Sequence, residues 1–200
     1  MKQEIERKYA VKYIPENINF DKIINIEQFF IYHDKRTLIR LRKIAEINNT
    51  LNVNTEYIYT LKTTGDIQYD NSYSMGRKYE IESNIEEKEY SSLIGRKISN
   101  TINKTRIVIP IPNKLKAEID VFHGYLEGLI TVEVEFEDLN QANNFLKPDW
   151  FGEELGYKEL SNRKLSEMTK EEFESKVTKE FMENNRKILK ELKNNKVIKF

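Results

Sequence analysis

The residues best suited to chemistry in this chain come in pairs spaced by two. Glu4-Ile5-Glu6-Arg7-Lys8 opens the series, and Arg40/Arg42, Glu80/Glu82, Lys104/Arg106, Glu118/Asp120 and Glu133/Glu135 continue it. Side chains alternate faces along a β-strand, so an extended conformation projects both members of a pair to one side and the residue between them to the other. Carboxylate pairs offer hard oxygen donors, which suit Mg²⁺ or Mn²⁺. Paired Lys and Arg suit a polyanion, and the arginine fork matches phosphate oxygens especially well. Acids and bases gathered in one enclosure describe a site for a metal–polyphosphate complex, with the cation bridging acid to phosphate.

Such an enclosure needs many strands with their charged faces turned the same way. Strands are expected over residues 2–11, 26–32, 37–44, 57–64 and 76–82, between Lys97 and Ile111, and over 114–122 and 129–136. The last of these alternates most cleanly, Leu129, Thr131, Glu133 and Glu135 opposing Ile130, Val132, Val134 and Phe136. His33-Asp34-Lys35 and Pro110–Asn113 read as turns. Short helices are expected around Phe20–Asn25, over 86–94 with Gly95 as terminator, and over 139–146 before Pro148. A last strand is expected near Gly156–Leu160. From Thr169 onward Phe173, Val177, Phe181, Ile188 and Leu192 make one amphipathic helix, with Thr169 as N-cap and Glu172 completing a capping box.

About eight strands joined by turns or short helices predict an antiparallel barrel or sandwich with added helices. A solvent-facing sheet mixes its polar residues. Here Glu4, Glu6, Glu80, Glu82, Glu118, Asp120, Glu133 and Glu135 fall on chosen strand faces opposite Lys8, Arg40, Arg42, Lys62, Lys78, Lys104 and Arg106. A closed barrel of this size leaves an interior wide enough for one small ligand. Its apolar faces then point outward beneath the helices.

Bulk properties narrow the function. With 33 basic and 33 acidic residues the formal net charge is zero, so no global field recommends a nucleic acid polymer or an anionic membrane as partner. The absence of cysteine excludes disulfides and thiolate chemistry, and two histidines make a histidine-based zinc site improbable. No signal peptide or membrane span is evident, so a cytoplasmic protein is expected, as a monomer or homodimer.

The ordered set of motifs resembles the CYTH domain proteins, or triphosphate tunnel metalloenzymes, whose hallmark is E-x-E-x-K near the amino terminus. Glu4-Ile5-Glu6-Arg7-Lys8 carries that hallmark. Gln28 through Arg42 is similar to the family's second and third strands, and Tyr59-Thr60-Leu61-Lys62 to its lysine strand. Lys78-x-Glu80-x-Glu82, Lys104-x-Arg106, Glu118-x-Asp120, Glu133-x-Glu135 and Ser161-Asn162-Arg163 follow in the family's order. The resemblance covers roughly residues 2–168, which sets a tunnel domain over 1–168 and leaves 169–200 as a helix packed on or plugging the tunnel.

That resemblance implies an α+β protein built on an eight-stranded antiparallel β-barrel with peripheral helices. It implies binding of a small-molecule triphosphate with Mg²⁺ or Mn²⁺ and hydrolysis of a phosphoanhydride. Lys8, Arg40, Arg42, Lys62, Lys78, Lys104, Arg106 and Arg163 are then expected to clamp phosphates. Glu4, Glu6, Glu80, Glu82, Glu118, Asp120, Glu133 and Glu135 are expected to hold metal, with Glu4, Glu6, Lys8, Glu133 and Glu135 as the catalytic group. The family also includes class IV adenylate cyclases and thiamine-triphosphatases, so cyclisation of ATP, or polyphosphate or nucleotide binding without turnover, stands as the alternative.

Overall fold

The computed structural model describes residues 5–16, 18–47, 54–67, 76–156 and 160–194, and the side chains of these except 64–67 and 76–78. Glu4 therefore lies outside the described residues, as does the side chain of Lys78. The strands are β1 (Ile5–Val11), β2 (Lys22–His33), β3 (Thr37–Glu46), β4 (Thr55–Ile67), β5 (Gly76–Ile85), β6 (Ile102–Ile111), β7 (Leu115–Phe122), β8 (Ile130–Phe136) and β9 (Phe151–Glu154). The helices are α1 (Glu87–Leu93), α2 (Leu139–Asn143), α3 (Asn162–Glu167), α4 (Lys170–Lys176) and α5 (Lys179–Asn194). Among the described residues no helix is long and apolar enough to cross a membrane.

Among the described residues nine strands join one sheet in the order β5-β4-β3-β2-β6-β7-β8-β1-β9. The pairings described are antiparallel. The expectation of a closed eight-stranded barrel is corrected in two respects. A short ninth strand, β9, pairs with the far side of β1, and among the described residues the outermost strands β5 and β9 are not paired with each other. The sheet wraps a tunnel without closing its ladder.

Register shows why the charged pairs meet. Directly opposed residues in a ladder point to the same face. Glu6 stands opposite Glu135, Lys8 opposite Glu133 and Glu133 opposite Glu118. Asp120 opposes Arg106, which opposes Ile24. Gln28 opposes Arg42, Arg40 opposes Thr60, Thr60 opposes Glu82, and Lys62 opposes Glu80. One continuous face thus carries the whole series. A slip of one residue in any strand would turn its members outward.

The opposite face is apolar and covered. Tyr9, Val11, Ile107, Ile109, Ala117, Ile119, Val121, Val132 and Val134 pack beneath Ala142 of α2, Trp150, Phe151, and Ile188 and Leu192 of α5. Across the sheet, Phe29 and Leu41 pack with Tyr90 of α1, whose hydroxyl donates to Glu27 at 2.9 Å. A third cluster differs in kind: Ile102 and Phe122 lie on the charged face at one level of the tunnel. There they meet Leu165 of α3, Met168 and Phe173 of α4. The interior is filled with hydrocarbon at that level, and the charged cavity begins beyond it.

Several local expectations are revised. Residues 20–25 are not helical, because Ile23, Ile24 and Ile26 enter β2, whose ladder with β6 starts at Lys22. β4 runs on through Ile67, past its expected end at residue 64. The last strand is Phe151–Glu154 rather than Gly156–Leu160, of which 157–159 lie outside the described residues. The single carboxy-terminal helix is two helices. Val177 leaves the helix with ψ 136°, and the Thr178 hydroxyl accepts from the Phe181 amide at 3.1 Å to start α5. The Thr169/Glu172 capping box is present as expected. His123 is half-buried with Nε2 2.8 Å from the Thr105 hydroxyl.

Candidate active site

The tunnel holds a cavity of about 1470 Å³. Its acidic wall comes from β1, β7 and β8 and its basic wall chiefly from β3, β4 and β6. Glu6, Lys8, Arg40, Arg42, Lys62, Glu80, Glu82, Lys104, Arg106, Glu118, Glu133, Glu135 and Arg163 all line it. Asp120 does not. It is fully buried beneath the surface, where it accepts from Lys104 Nζ and from two nitrogens of Arg106.

Arg106 of β6 ties its strand to the acidic wall. It contacts Glu118 through Nη1, Asp120 through Nε and Nη2 at 2.7 Å each, and Glu133 through Nη2 at 2.9 Å. Burial opposes its charge, but Asp120, Glu118 and Glu133 outweigh burial and hold the guanidinium firmly protonated. Lys8 reaches Glu133 at 2.8 Å and the Leu160 carbonyl at 2.8 Å, which ties β1 to the segment leading into α3. Burial lowers the Lys8 pKa, yet Glu133 outweighs it and holds the ammonium above the usual lysine value. Lys104 goes the other way: burial dominates, and it shares Asp120 with Arg106, so its pKa is lowered.

The carboxylates divide similarly. Burial would raise Glu133, but Lys8, Arg106 and Lys104 pull it far below the usual carboxylate range. Asp120 is lowered, against burial, by Arg106 and Lys104. Glu118 is raised, because burial together with the Asp120 and Glu133 charges exceeds the help from Arg106.

On the basic wall, Arg40 Nη2 lies 3.4 Å from Glu80 and 3.3 Å from Glu82, and Arg42 Nη2 also reaches Glu82. Lys62 is 3.4 Å from Glu80, and the Thr60 hydroxyl donates to Glu82 at 2.8 Å. Burial and the neighbouring Arg40 bring Arg42 down to about 10, against the opposing pull of Glu82. The Nε of Arg40 and of Arg42 are buried with no acceptor.

One mouth is shaped by the β2–β3 turn and by α3. Asp34 Oδ1 accepts from the Arg36 and Thr37 amides at 2.7 and 2.6 Å, fixing the turn. Ser161 caps α3, which brings Arg163 to the lining; His33 meets Glu167 of α3 at 3.3 Å. Sequence reasoning missed Ile26, Gln28, Phe30 and Leu38, which also line the cavity. The run Ile23–Tyr32 carries apolar and polar residues at both parities, so periodicity gave no sign of its inner face; pairing with Arg40 and Arg42 is the signal that could have found it.

Among the described residues no three acidic or histidine side chains stand together in a way that could hold a metal ion. The donor chemistry nevertheless fits a hard divalent cation, since Glu6, Glu118, Glu133 and Glu135 supply only carboxylate oxygens to one wall. In the arrangement seen, Arg106 and Lys8 occupy several of those oxygens.

No family model matches the chain. It is 31% identical over 155 residues to the inorganic triphosphatase of Nitrosomonas europaea, spanning 76% of this chain and 88% of that protein. The crystal structure of the inorganic triphosphatase NE1496 is similar with a TM-score of 0.54 and 29% identity, over 83% of this chain and 95% of that one. A second crystal structure, of the hypothetical protein NE1496, gives 0.55 and 30%, over 83% and 99%. Likeness in sequence over most of both chains agrees with the wrapped antiparallel sheet and its inward charges, and the chain belongs to the CYTH, or triphosphate tunnel metalloenzyme, family.

Proposed function

We propose that this protein is a divalent-metal-dependent triphosphatase, acting on inorganic triphosphate or a small organic triphosphate held in the tunnel. The observation that carries the reading is the convergence of Lys8, Arg40, Arg42, Lys62, Lys104, Arg106 and Arg163 with a facing row of glutamates on one cavity. Likeness to an inorganic triphosphatase supports the same reading.

The cations bind and orient the phosphate chain, and Arg106 and Lys8 exchange carboxylate partners for phosphate oxygens. That exchange releases Glu118 and Glu133, which with Glu6 and Glu135 are the residues to hold Mg²⁺ or Mn²⁺; Glu4, Glu80 and Glu82 are further ligand candidates. When bound, the metal supplies charge neutralisation at the phosphate oxygens. Water attacks the terminal phosphorus, the P–O–P bridge breaks, and orthophosphate and pyrophosphate (or its organic ester) leave. Asp120, out of reach of the cavity, positions Lys104 and Arg106.

The test is a panel of tripolyphosphate, ATP and thiamine triphosphate with each metal. Release of orthophosphate from tripolyphosphate is expected. Inertness toward every triphosphate would end the proposal, and cyclic AMP formed from ATP would move the chain to the cyclase branch.

A further inference from the structure

β2 gives the tunnel an apolar inner stripe with one polar interruption. Ile26 and Phe30 line the cavity from this strand, and between them stands Gln28. Gln28 is only 1% exposed, and its Nε2 is buried with no hydrogen-bond partner. An unpaired carboxamide N–H₂ buried in a tunnel rich in acceptors needs an explanation, because native chains rarely leave such donors empty. Leucine or methionine would fill the same volume without that cost.

Its neighbours supply the explanation. Gln28 stands directly opposite Arg42 in the ladder, and Phe30 opposite Arg40. The Nε atoms of both arginines are likewise buried without acceptors, because their Nη2 atoms are turned to Glu80 and Glu82. Three donor nitrogens on two adjacent strands therefore lack an acceptor in one patch among the described residues. A phosphate oxygen, which only accepts, is the complement of that patch.

We infer that Gln28 is a substrate-binding residue, whose carboxamide donates to an oxygen of the bound polyphosphate beside the Arg40 and Arg42 guanidiniums. This rests on the triphosphatase reading and deepens it. Gln28 adds a directional hydrogen bond without adding charge. Ions screen the arginine contribution but leave a short neutral–anion hydrogen bond largely intact.

Gln28→Leu and Gln28→Met test the assignment, with tripolyphosphate as the probe and full-length protein throughout. KM for tripolyphosphate is expected to rise about tenfold in either variant, as loss of one hydrogen bond to a charged group implies. The ratio of variant to wild-type KM is expected to persist from low to high salt, whereas the ratio for Arg42→Gln shrinks. Thermal unfolding without ligand is expected at or above the wild-type Tm, and the rise in Tm on adding tripolyphosphate is expected to be smaller. If wild type neither binds nor cleaves tripolyphosphate, the underlying reading fails. If wild type does so and both Gln28 variants match it in KM and in ligand-induced Tm shift, the inference alone is overturned.

Discussion

Arg106 and Asp120 face each other across β6 and β7, joined by two hydrogen bonds of 2.7 Å from Nε and Nη2 to the two carboxylate oxygens. Asp120 also accepts from Lys104 and is fully buried. One carboxylate thus anchors two cations that point at the substrate cavity. Asp120→Asn keeps the shape but removes the charge, leaving both cations short of a partner. Breaking a buried pair in this way costs about 3–5 kcal/mol. Urea unfolding of the ligand-free variant is expected to show that loss, with partial recovery on adding tripolyphosphate; an unchanged midpoint would contradict the anchoring role.

Glu133 bears on acid stability. Its folded pKa is depressed well below the usual carboxylate range by Lys8, Arg106 and Lys104, despite burial. A depressed carboxyl contributes stability that is complete above its unfolded value and drains as pH falls toward the folded one. Asp120 adds a term of the same sign. Glu118, raised by burial, has the opposite sign, its contribution being lost as pH rises through its folded value. Thermal melts from neutral pH down to about pH 3 are expected to show Tm falling below the ordinary carboxylate range, and Glu133→Gln is expected to flatten that fall. Superimposable acid limbs in the two proteins would refute the assignment.

Alanine at Glu133 addresses turnover. It removes a proposed metal ligand and frees Lys8 and Arg106 for phosphate, so binding of tripolyphosphate is expected to survive. Hydrolysis is expected to drop roughly 10²- to 10³-fold, the scale of losing a major electrostatic group at a reacting centre. Steady-state rates at saturating tripolyphosphate give the answer; an unaltered rate removes Glu133 from the catalytic group.

Phe173 is the anchor of α4 in the apolar layer that fills one level of the tunnel. Phe173→Ala opens a cavity among Leu165, Met168 and Phe122, at a cost of about 3–5 kcal/mol. Because Leu165 belongs to α3, which carries Arg163 to the lining, KM for tripolyphosphate is expected to rise together with the loss of stability. Chemical unfolding and initial rates on the same preparation test the pairing of the two effects, and a destabilised variant with wild-type KM would separate α3 placement from this layer.

How much of this was legible beforehand follows from where the information lies. The charged pairs on β1, β3, β6, β7 and β8 alternate against Val, Ile and Leu, so period two alone assigns their inner face, as Glu133 and Val134 illustrate. β2 carries no such contrast. Ile24, Ile26, Gln28 and Phe30 face inward while Ile23 and Phe29 face outward, and only cross-strand register separates the two sets. Gln28 was invisible for that reason. The break at Val177 was also hidden, since apolar spacing runs smoothly from Phe173 into Phe181 and the interruption depends on Thr178 capping a new helix. The depth of Asp120 below Glu118 is a matter of how the sheet curls around Arg106, and no spacing rule contains it.

The pairing order leaves β5 and β9 as free margins of the sheet, with no ladder between them among the described residues. A ring of hydrogen bonds would give the bore a fixed circumference. A split ring behaves as a spring clip, its girth set by the sheet's own twist and by the helices pressed on its back. Ile188 and Leu192, packed with Tyr9 and Val132 on the outer face, thus belong to what braces the bore from behind.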